Sequence, residues 1–513
     1  MTGWTRRADA RDEGMGMILV IGIMGLITAL IAVAGTVAVS AIRSSHNRVT
    51  YEQALATAEN GVDYALARLQ KAFDEYNRDW PTPSNEVYAT TAMQTALAPT
   101  CTAPEVNQTA TTDAAQRTEA ITVLKSLAAS GCLVDGGVGE FTIWKPRTPL
   151  VGGLYPKFGK VYAMGFVPSY DPGNPLMKTR VVKAEYLFMP YRPTNAVLTS
   201  GALTFDSSTM VTTAYGIDPS EASIHTNATL SVDGNPTVTG AVTSTGTSTA
   251  QSNNFTSSQN PGGVVGTQSK QRIPPISARG LYARTYLDHA EYRLWAGSVY
   301  QGPWYDLCPD GSARPMDAAG PCAADPSLAL NPGATGSFRG WTYDSTTHVW
   351  TASNVTQDGI YYIHEGSVAV GPGNGAINNI TVIAGAENEE NCSSKRYGNI
   401  EWDRFDMKAP SMANLFMYAD SDIVTHANWS AGQGISAPPV ISGMFIAGDQ
   451  MHMETSSAGA VGSVVVGDNC TVGNPDLVTT NEIKNPNIYY DPNADAPFTS
   501  IISTTLWLEY VGN

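Results

Sequence analysis

The chain has 513 residues, which is enough for two or three domains with buried cores. Charged residues make up 15% of the chain and the formal net charge is −16, whereas globular proteins usually contain roughly 25% charged residues. Binding to nucleic acid depends on Lys and Arg side chains that neutralise phosphates. We therefore expect no nucleic-acid partner.

The N-terminal region predicts a helix that can enter a membrane. Arg6, Arg7 and Arg11 precede residues 15–42, and no side chain in that segment is ionisable. A helix needs about 20 apolar residues to cross the hydrocarbon core, whereas a secretory signal has an apolar region of only about 7–15 residues. The basic flank predicts a cytoplasmic N-terminus and a span in the inner membrane.

The helical pattern continues beyond the apolar segment. Apolar side chains recur at steps of three and four residues, which is the spacing of one helix face; they are Leu55, Ala58, Val62, Ala65, Leu69, Ala72 and Tyr76. The Trp80-Pro81 pair predicts the end of the helix, because a residue before proline avoids the helical conformation. The sequence thus predicts one helix over residues 15–78, lipid-soluble in its first half and amphipathic in its second.

Two motifs in this region resemble a known family. A charged leader ends at Gly14, directly before the apolar helix, and YEQALATAENGVDYALARL follows at residues 51–69. They resemble the class III signal of type IV prepilins and the N-terminal segment of PilX-type minor pilins. The resemblance implies cleavage of residues 1–14 by a prepilin peptidase, N-methylation of Met15, and assembly with other pilins into a pilus or pseudopilus at the cell surface. An uncleaved signal anchor is the alternative.

The fifth position after Gly14 departs from the pattern of major pilins. Those proteins carry a glutamate there, which neutralises the methylated amine of a neighbouring subunit, whereas this chain has Leu19. A buried ammonium group without a partner is unfavourable, so a subunit without the glutamate suits the filament tip, where no subunit lies ahead. The tip pseudopilin of type II secretion likewise lacks this glutamate. We predict a tip position and few copies.

The next segment predicts a pilin-like α+β domain over residues 79–192. A short helix is expected at residues 113–129. Residues 141–191 contain β-branched and aromatic strands, and DPGNP at residues 171–175 supplies a turn. The long helix and these strands together predict a helix packed on an antiparallel sheet.

Short strands separated by Gly, Asn or Asp dominate the rest of the chain. Aligned on their apolar residues, Met417, Phe445 and Val464 begin similar strands. Loose repeats of this kind predict a right-handed β-solenoid, in which each repeat buries its inner face against the next. A β-sandwich is the alternative. NPNIYYDP at residues 485–492 resembles the last repeat of the β-helical domains that follow PilX-type N-termini in some surface proteins.

The predicted fold class is therefore α+β, with a long N-terminal helix, a pilin-like sheet and a mainly β solenoid. The predicted boundaries place the leader at 1–14, the helix at 15–78, the α+β domain at 79–192, the solenoid at 193–272 and 359–495, a helix and disulfide loop between them at 273–358, and a C-terminal strand at 496–513.

The six cysteines predict disulfide bonds formed outside the cytosol, because none lies in a CxxC motif and their number is even. Fifteen connectivities are possible, and buried free thiols are the alternative. Order along the chain favours the pairs Cys101–Cys132, Cys308–Cys322 and Cys392–Cys470.

The sequence contains no complete catalytic or metal-binding motif. Carboxylates cluster at Glu387, Glu389 and Glu390, at Glu401, Asp403 and Asp406, and at Asp420 and Asp422, and we expect them to be solvated surface groups. No two histidines lie within one turn of each other and HExxH is absent, so the sequence predicts no zinc centre. Asp491, Asn493 and Asp495 match the start of a calcium loop but lack its glycine and distal glutamate. We expect a turn there, with calcium as the alternative, and no other cofactor.

The leading interpretation is a minor pilin-like component, anchored by its helix, whose solenoid promotes adhesion or pilus assembly. The expected partners are the membrane, other pilins, the peptidase, and a surface glycan or adhesin protein. We predict no enzymatic activity. The alternative is a membrane-anchored extracellular β-helix enzyme acting on polysaccharide, which would need paired carboxylates held across a cleft.

Overall fold

The computed structural model describes residues 10–78, 108–146, 158–214 and 216–246, together with parts of 260–281 and parts of 304–510. Its α-helices are α1 (Ala10–Arg78) and α2 (Asp113–Ala129), and a short 3₁₀ helix lies at Pro219–Glu221. The strands in chain order are β1 (Val134–Asp135), β2 (Glu140–Trp144), β3 (Phe158–Val167), β4 (Lys178–Pro190), β5 (Val197–Thr199), β6 (Leu203–Asp206), β7 (Met210–Thr213), β8 (Ile224–Thr226), β9 (Leu230–Val232), β10 (Thr237–Val238), β11 (Val242–Ser244), β12 (Val264–Val265), β13 (Trp304–Leu307), β14 (Ala313–Pro315), β15 (Trp341–Asp344), β16 (Val349–Ala352), β17 (Gly359–Ile363), β18 (Ser367–Val370), β19 (Ile380–Ala384), β20 (Ala386–Glu387), β21 (Arg396–Tyr397), β22 (Ile400–Trp402), β23 (Leu415–Ala419), β24 (Ile423–Thr425), β25 (Ile441–Ser442), β26 (Met444–Ala447), β27 (Met451–Glu454), β28 (Gly459–Val461), β29 (Val464–Val466), β30 (Asn481–Lys484), β31 (Asn487–Tyr490) and β32 (Thr499–Tyr510).

The long helix α1 has 69 residues and is about 100 Å long at 1.5 Å per residue. Its few hydroxyl groups in the apolar half do not interrupt it, because they donate hydrogen bonds to the preceding turn. The Oγ1 of Thr28 lies 2.8 Å from the carbonyl oxygen of Met24, and Thr36 and Ser40 make the equivalent contacts. The predicted two-part character is confirmed, since the first half is exposed whereas Ala58, Val62 and other residues of the second half are buried.

Sheet I is antiparallel and packs between the two helices. Its strand order is β1-β2-β3-β4-β32. Side chains alternate along β3, so that Val161 and Ala163 pack against α1 whereas Tyr162 and Met164 pack against α2. The structure therefore contains the predicted helix on an antiparallel sheet, and α2 occupies the residues predicted for the short helix.

Close contact between α1 and sheet I depends on glycines on both sides. A Cβ atom added to Gly61 of α1 would lie 2.9 Å from the Cβ of Ala163 and 2.9 Å from the ring of Phe141. A Cβ atom added to Gly165 of β3 would meet backbone atoms of α1 itself. The absence of a side chain at both positions lets the helix axis approach the sheet.

Three further sheets consist mainly of parallel strands. Sheet II has the order β12-β11-β8-β5-β29-β26-β23-β19-β17-β13-β14, sheet III has β15-β16-β18-β22-β24-β27-β30-β6-β9, and sheet IV has β10-β7-β31-β28-β25. Within the described residues, their antiparallel pairs are β13–β14 and β15–β16; β20 and β21 form a separate hairpin. The strands β5, β6 and β7 fall in sheets II, III and IV respectively, and β8–β10, β23–β25, β26–β28 and β29–β31 repeat this order.

The inner faces of sheets II, III and IV share one apolar core. Val197 of sheet II, Phe205 of sheet III and Val211 of sheet IV all belong to it. In sheet II, Met417 pairs with Phe445, and Phe445 pairs with Val464. The register is thus the one that the aligned sequence repeats predict.

The chain starts and ends its path through sheets II–IV in the middle of those sheets. Val464 of β29 pairs in parallel with Val197 of β5, and Ile483 of β30 pairs with Phe205 of β6. The last strand, β32, then returns to sheet I and pairs with β4. Sheets II–IV are therefore built from a segment inserted between two neighbouring strands of sheet I, which the sequence did not indicate.

Hydrogen bonds close the junction between the start and the end of the inserted segment. Burial raises the pKa of Tyr490 to about 12, so its phenol stays protonated and donates to the carbonyl oxygen of Pro193, 2.5 Å away. The backbone N–H of Ala496 donates to the carbonyl oxygen of Tyr191 at 2.7 Å. The two chain segments that leave sheet I are thus held together where they enter the inserted segment.

A segment that we name the strap, residues 268–281, runs over the outer face of sheet II. Near β8, the backbone N–H of Gln271 donates to Oδ1 of Asn227 at 2.7 Å, and Nδ2 of Asn227 donates back to the Gln271 carbonyl at 2.7 Å. After β23, Oδ1 of Asp420 accepts the N–H of Ala278 at 2.8 Å. The strap therefore carries the chain across sheet II and covers its outer apolar side chains.

Candidate functional site

The uncovered apolar surface of α1 is the most extensive candidate interaction surface. Its large apolar side chains from Met17 to Val49 expose between 47% and 73% of their surface. Among the described residues, one helix is long and apolar enough to cross a membrane; it spans Met17–Lys71, and its most apolar 18-residue window has a mean hydropathy of 2.8. Apolar patches of this extent usually meet a membrane or another protein.

The residues predicted for processing and assembly lie at the start of this surface. Gly14 and Met15 are part of α1, which begins at Ala10. Leu19 lies one helical turn beyond Met15 and is 64% exposed. The structure therefore places Leu19 on an apolar helix surface, where a carboxylate would have no partner from the described part of this chain.

The structure contains one of the predicted disulfide pairs. Cys308 and Cys322 are bonded, with their Cα atoms 5.6 Å apart. Cys132 and Cys470 are disulfide-bonded as well. Their predicted partners, Cys101 and Cys392, lie outside the described residues, so those two pairings stay predictions.

The calcium candidate at residues 491–495 has the local structure of a turn. The side-chain Oδ1 of Asp491 accepts the backbone N–H of Asn493 at 2.9 Å, and the Asp491 carbonyl accepts the N–H of Ala494 at 3.1 Å. Asp495 lies outside the described residues. The described part of this segment therefore has the hydrogen bonds of an Asx turn.

The prediction that Asp420 and Asp422 are solvated surface groups is wrong. Both are buried, because backbone N–H groups at the corners between sheets need acceptors. Asp420 accepts hydrogen bonds from Ala278 and Ala386 at 2.8 and 2.9 Å, and Asp422 accepts one from Gln450 at 3.1 Å. These carboxylates hold the turns between strands in place.

A cavity of about 450 Å³ lies beside the strap, lined by residues that include Arg279, Tyr362, His364 and Glu365. Nε2 of His364 lies 2.9 Å from Oδ1 of the buried Asp306. Arg279 and Glu365 are about half exposed and lie 3.9 Å apart. The lining of the cavity therefore combines apolar side chains with the polar groups of Arg279, His364 and Glu365.

The structure brings together a group of side chains that the sequence did not predict. His426, His452 and Glu454 each offer one ligand atom, and these atoms all lie within 4.8 Å of one another. The histidines are 26 residues apart, so a search within one helical turn misses them. The register of the adjacent parallel strands β24 and β27 pairs Thr425 with Met453, which puts His426 beside Glu454 and diagonally across from His452. An alignment of IVTH with MHME gives the same register.

Comparisons with known proteins give a distant structural match. The sequence matches no protein-family model. It also matches no curated protein. The structure is similar to the competence-associated pilin ComZ from Thermus thermophilus, with a TM-score of 0.25 and 12% identity, covering 90% of this chain and 98% of that chain.

Proposed function

We propose that this chain is a pilin-like subunit of a type IV pilus or pseudopilus. The observation that carries the proposal is the division of α1 into an exposed apolar half and a half that packs on sheet I. The exposed half suits lipid before assembly and the helices of other pilins afterwards. The packed half fixes the domain to that anchor, so the rest of the chain stands outside the membrane.

The inserted segment forms a right-handed β-solenoid in this proposal. The repeated order of strands through sheets II, III and IV and the shared apolar core support it. Parallel strands joined by crossover connections are right-handed in nearly all proteins. The solenoid provides a large outer surface for a surface glycan, an adhesin or another pilus component.

Processing is the first test of the pilin proposal. Cleavage by a prepilin peptidase should release residues 1–14 and leave a methylated Met15 at the N-terminus. Intact-mass analysis of protein extracted from the cell surface measures this directly. A surface protein that still begins at Met1 would contradict the proposal, whereas deletion of the gene should remove pili or surface attachment.

The position in the filament is a separate part of the proposal. Leu19 gives the subunit no carboxylate for the amine of a subunit ahead of it, and the inserted segment adds roughly 300 residues that need space. Both features suit the tip, at few copies per filament. Immunogold labelling should find label at filament ends; regular labelling along the shaft would exclude a tip position.

We also propose that the chain has no catalytic role. The buried Asp420 and Asp422 support this, since their oxygens are occupied by backbone N–H groups and cannot act on a glycosidic bond as the enzyme alternative requires. Incubation of the purified protein with bacterial surface polysaccharides tests the alternative. Release of new reducing ends would overturn our proposal.

A further inference from the structure

Two histidines and a glutamate meet on the outer face of sheet III. Side chains alternate along β27, so that Met451 and Met453 point into the core whereas His452 and Glu454 point outward. His426 directly follows the neighbouring strand β24, and its ring centre lies 5.4 Å from that of His452. We name His426, His452 and Glu454 the histidine cluster.

We propose that the histidine cluster binds a divalent transition-metal ion of the Zn²⁺ class. Four-coordinate zinc has metal–ligand distances of about 2.0–2.2 Å, which places neighbouring ligand atoms about 3.3 Å apart. Nε2 of His452 already lies 3.6 Å from Oε2 of Glu454. His426 is exposed, so rotation about its own side-chain bonds can bring its ring nitrogen to the same point.

The residues around the histidine cluster orient its ligand atoms. Nδ1 of His452 lies 3.2 Å from Oε2 of Glu482 on the next strand. A carboxylate on one imidazole nitrogen fixes the tautomer in which the other nitrogen is free to bind metal. Nζ of Lys484 lies 2.9 Å from the other carboxylate oxygen of Glu454, Oε1. This ion pair leaves Oε2 of Glu454 directed at His452. Glu482 and Lys484 are therefore positioning residues.

The ligand set selects the class of ion. Imidazole nitrogen suits Zn²⁺, Co²⁺, Ni²⁺ and Cu²⁺, whereas Ca²⁺ and Mg²⁺ prefer oxygen ligands. Two imidazoles and one carboxylate leave a fourth position for water. Because these side chains lie on the outer face of the sheet, an ion reaches them from solvent without any movement of the core.

Metal titration of the full-length protein in detergent tests this inference, after removal of any polyhistidine tag. Isothermal calorimetry with Zn²⁺ alone should show one saturable site per chain, and Co²⁺ alone should give the visible absorption of a four-coordinate complex. His426→Ala and His452→Ala should each remove that site. Glu482→Gln should weaken binding by about 10–100-fold, as loss of an outer-shell partner does.

Matched variants separate a specific site from general attraction to an acidic protein. Glu401 is exposed and lies on the same face of sheet III as His452, two strands away, because both residues pair with Val424. Glu401→Gln should therefore leave the affinity for Zn²⁺ unchanged. An excess of Ca²⁺ should not displace Zn²⁺. Absence of saturable Zn²⁺ binding, or equal binding by the wild type and both histidine variants, would overturn the inference. All the substituted side chains lie outside the apolar core, and a thermal melt confirms that each variant folds.

Discussion

Replacement of Gly165 by alanine tests whether close contact between α1 and sheet I holds the structure together. The added Cβ atom would lie 2.7 Å from the backbone nitrogen of Ala58 and 3.0 Å from the Cβ of Thr57, and it would also overlap the carbonyl oxygen of Ala54. Two of these three obstacles are backbone atoms of α1. They cannot rotate away, so the helix itself must move from the sheet.

The size of the effect follows from two opposing contributions. Overpacking of a core typically reduces the free energy of unfolding by about 1–3 kcal/mol. Because two of the three obstacles are backbone atoms that cannot rotate away, we expect Gly165→Ala to lie at the upper end of this range, about 3 kcal/mol. Alanine is favoured over glycine in a strand by roughly 0.5–1 kcal/mol, so the net loss is about 2 kcal/mol. At about 2–4 °C per kcal/mol, the melting temperature of this part of the protein should fall by about 4–8 °C.

The assay is thermal unfolding of the full-length protein in detergent, followed by near-ultraviolet circular dichroism. Trp144 and Tyr162 stack on sheet I with ring centres 5.3 Å apart, and they contribute to this signal together with the buried aromatic side chains of sheets II–IV. Gly173→Ala is the matched control, because its added Cβ atom makes only an ordinary contact of 3.4 Å with Asp171. If Gly165→Ala melts at the same temperature as the control, the packing argument is wrong.

Three further predictions address the filament, the strap and the response to pH. Leu19→Glu should leave the number of assembled pili unchanged, as counted by electron microscopy, because a carboxylate at the tip can find an amine or become protonated; loss of pili would contradict the tip assignment. Asp420→Ala should reduce the free energy of unfolding by at least about 2 kcal/mol, since it leaves the buried N–H groups of Ala278 and Ala386 without their acceptor and each such loss costs about 1–3 kcal/mol; an unchanged denaturation midpoint would refute this. Burial lowers the pKa of His225, although a hydrogen bond with Asn227 partly opposes this effect. As the pH falls, His225 is therefore protonated near pH 6.5 in the unfolded chain and only at a lower pH in the folded chain. Its contribution to stability is therefore complete above about pH 6.5 and declines below it by at most about 1.4 kcal/mol per pH unit, and a pH series of denaturant titrations should show a shallower decline for His225→Gln.

Patterns in the sequence were sufficient to predict the elements that depend on nearby residues. The step of three and four apolar residues in α1 predicted which side chains, such as Ala58 and Val62, are buried. The turn at residues 171–175 and the helix α2 were also predicted correctly. Even the register of Met417 with Phe445 could be found, because parallel neighbours in consecutive repeats share the same short apolar pattern.

Contacts between distant segments could be found only from the folded chain. The pairing of Val464 with Val197 and the return of β32 to sheet I join residues more than 260 positions apart, and no local pattern specifies such partners. The burial of Asp420 depends on N–H groups that the strap brings to it from another part of the chain. The histidine cluster forms because the parallel register of β24 and β27 puts His426 next to Glu454 and diagonally across from His452. Side chains that are 26 and 28 residues apart in the sequence therefore lie within a few ångströms of each other.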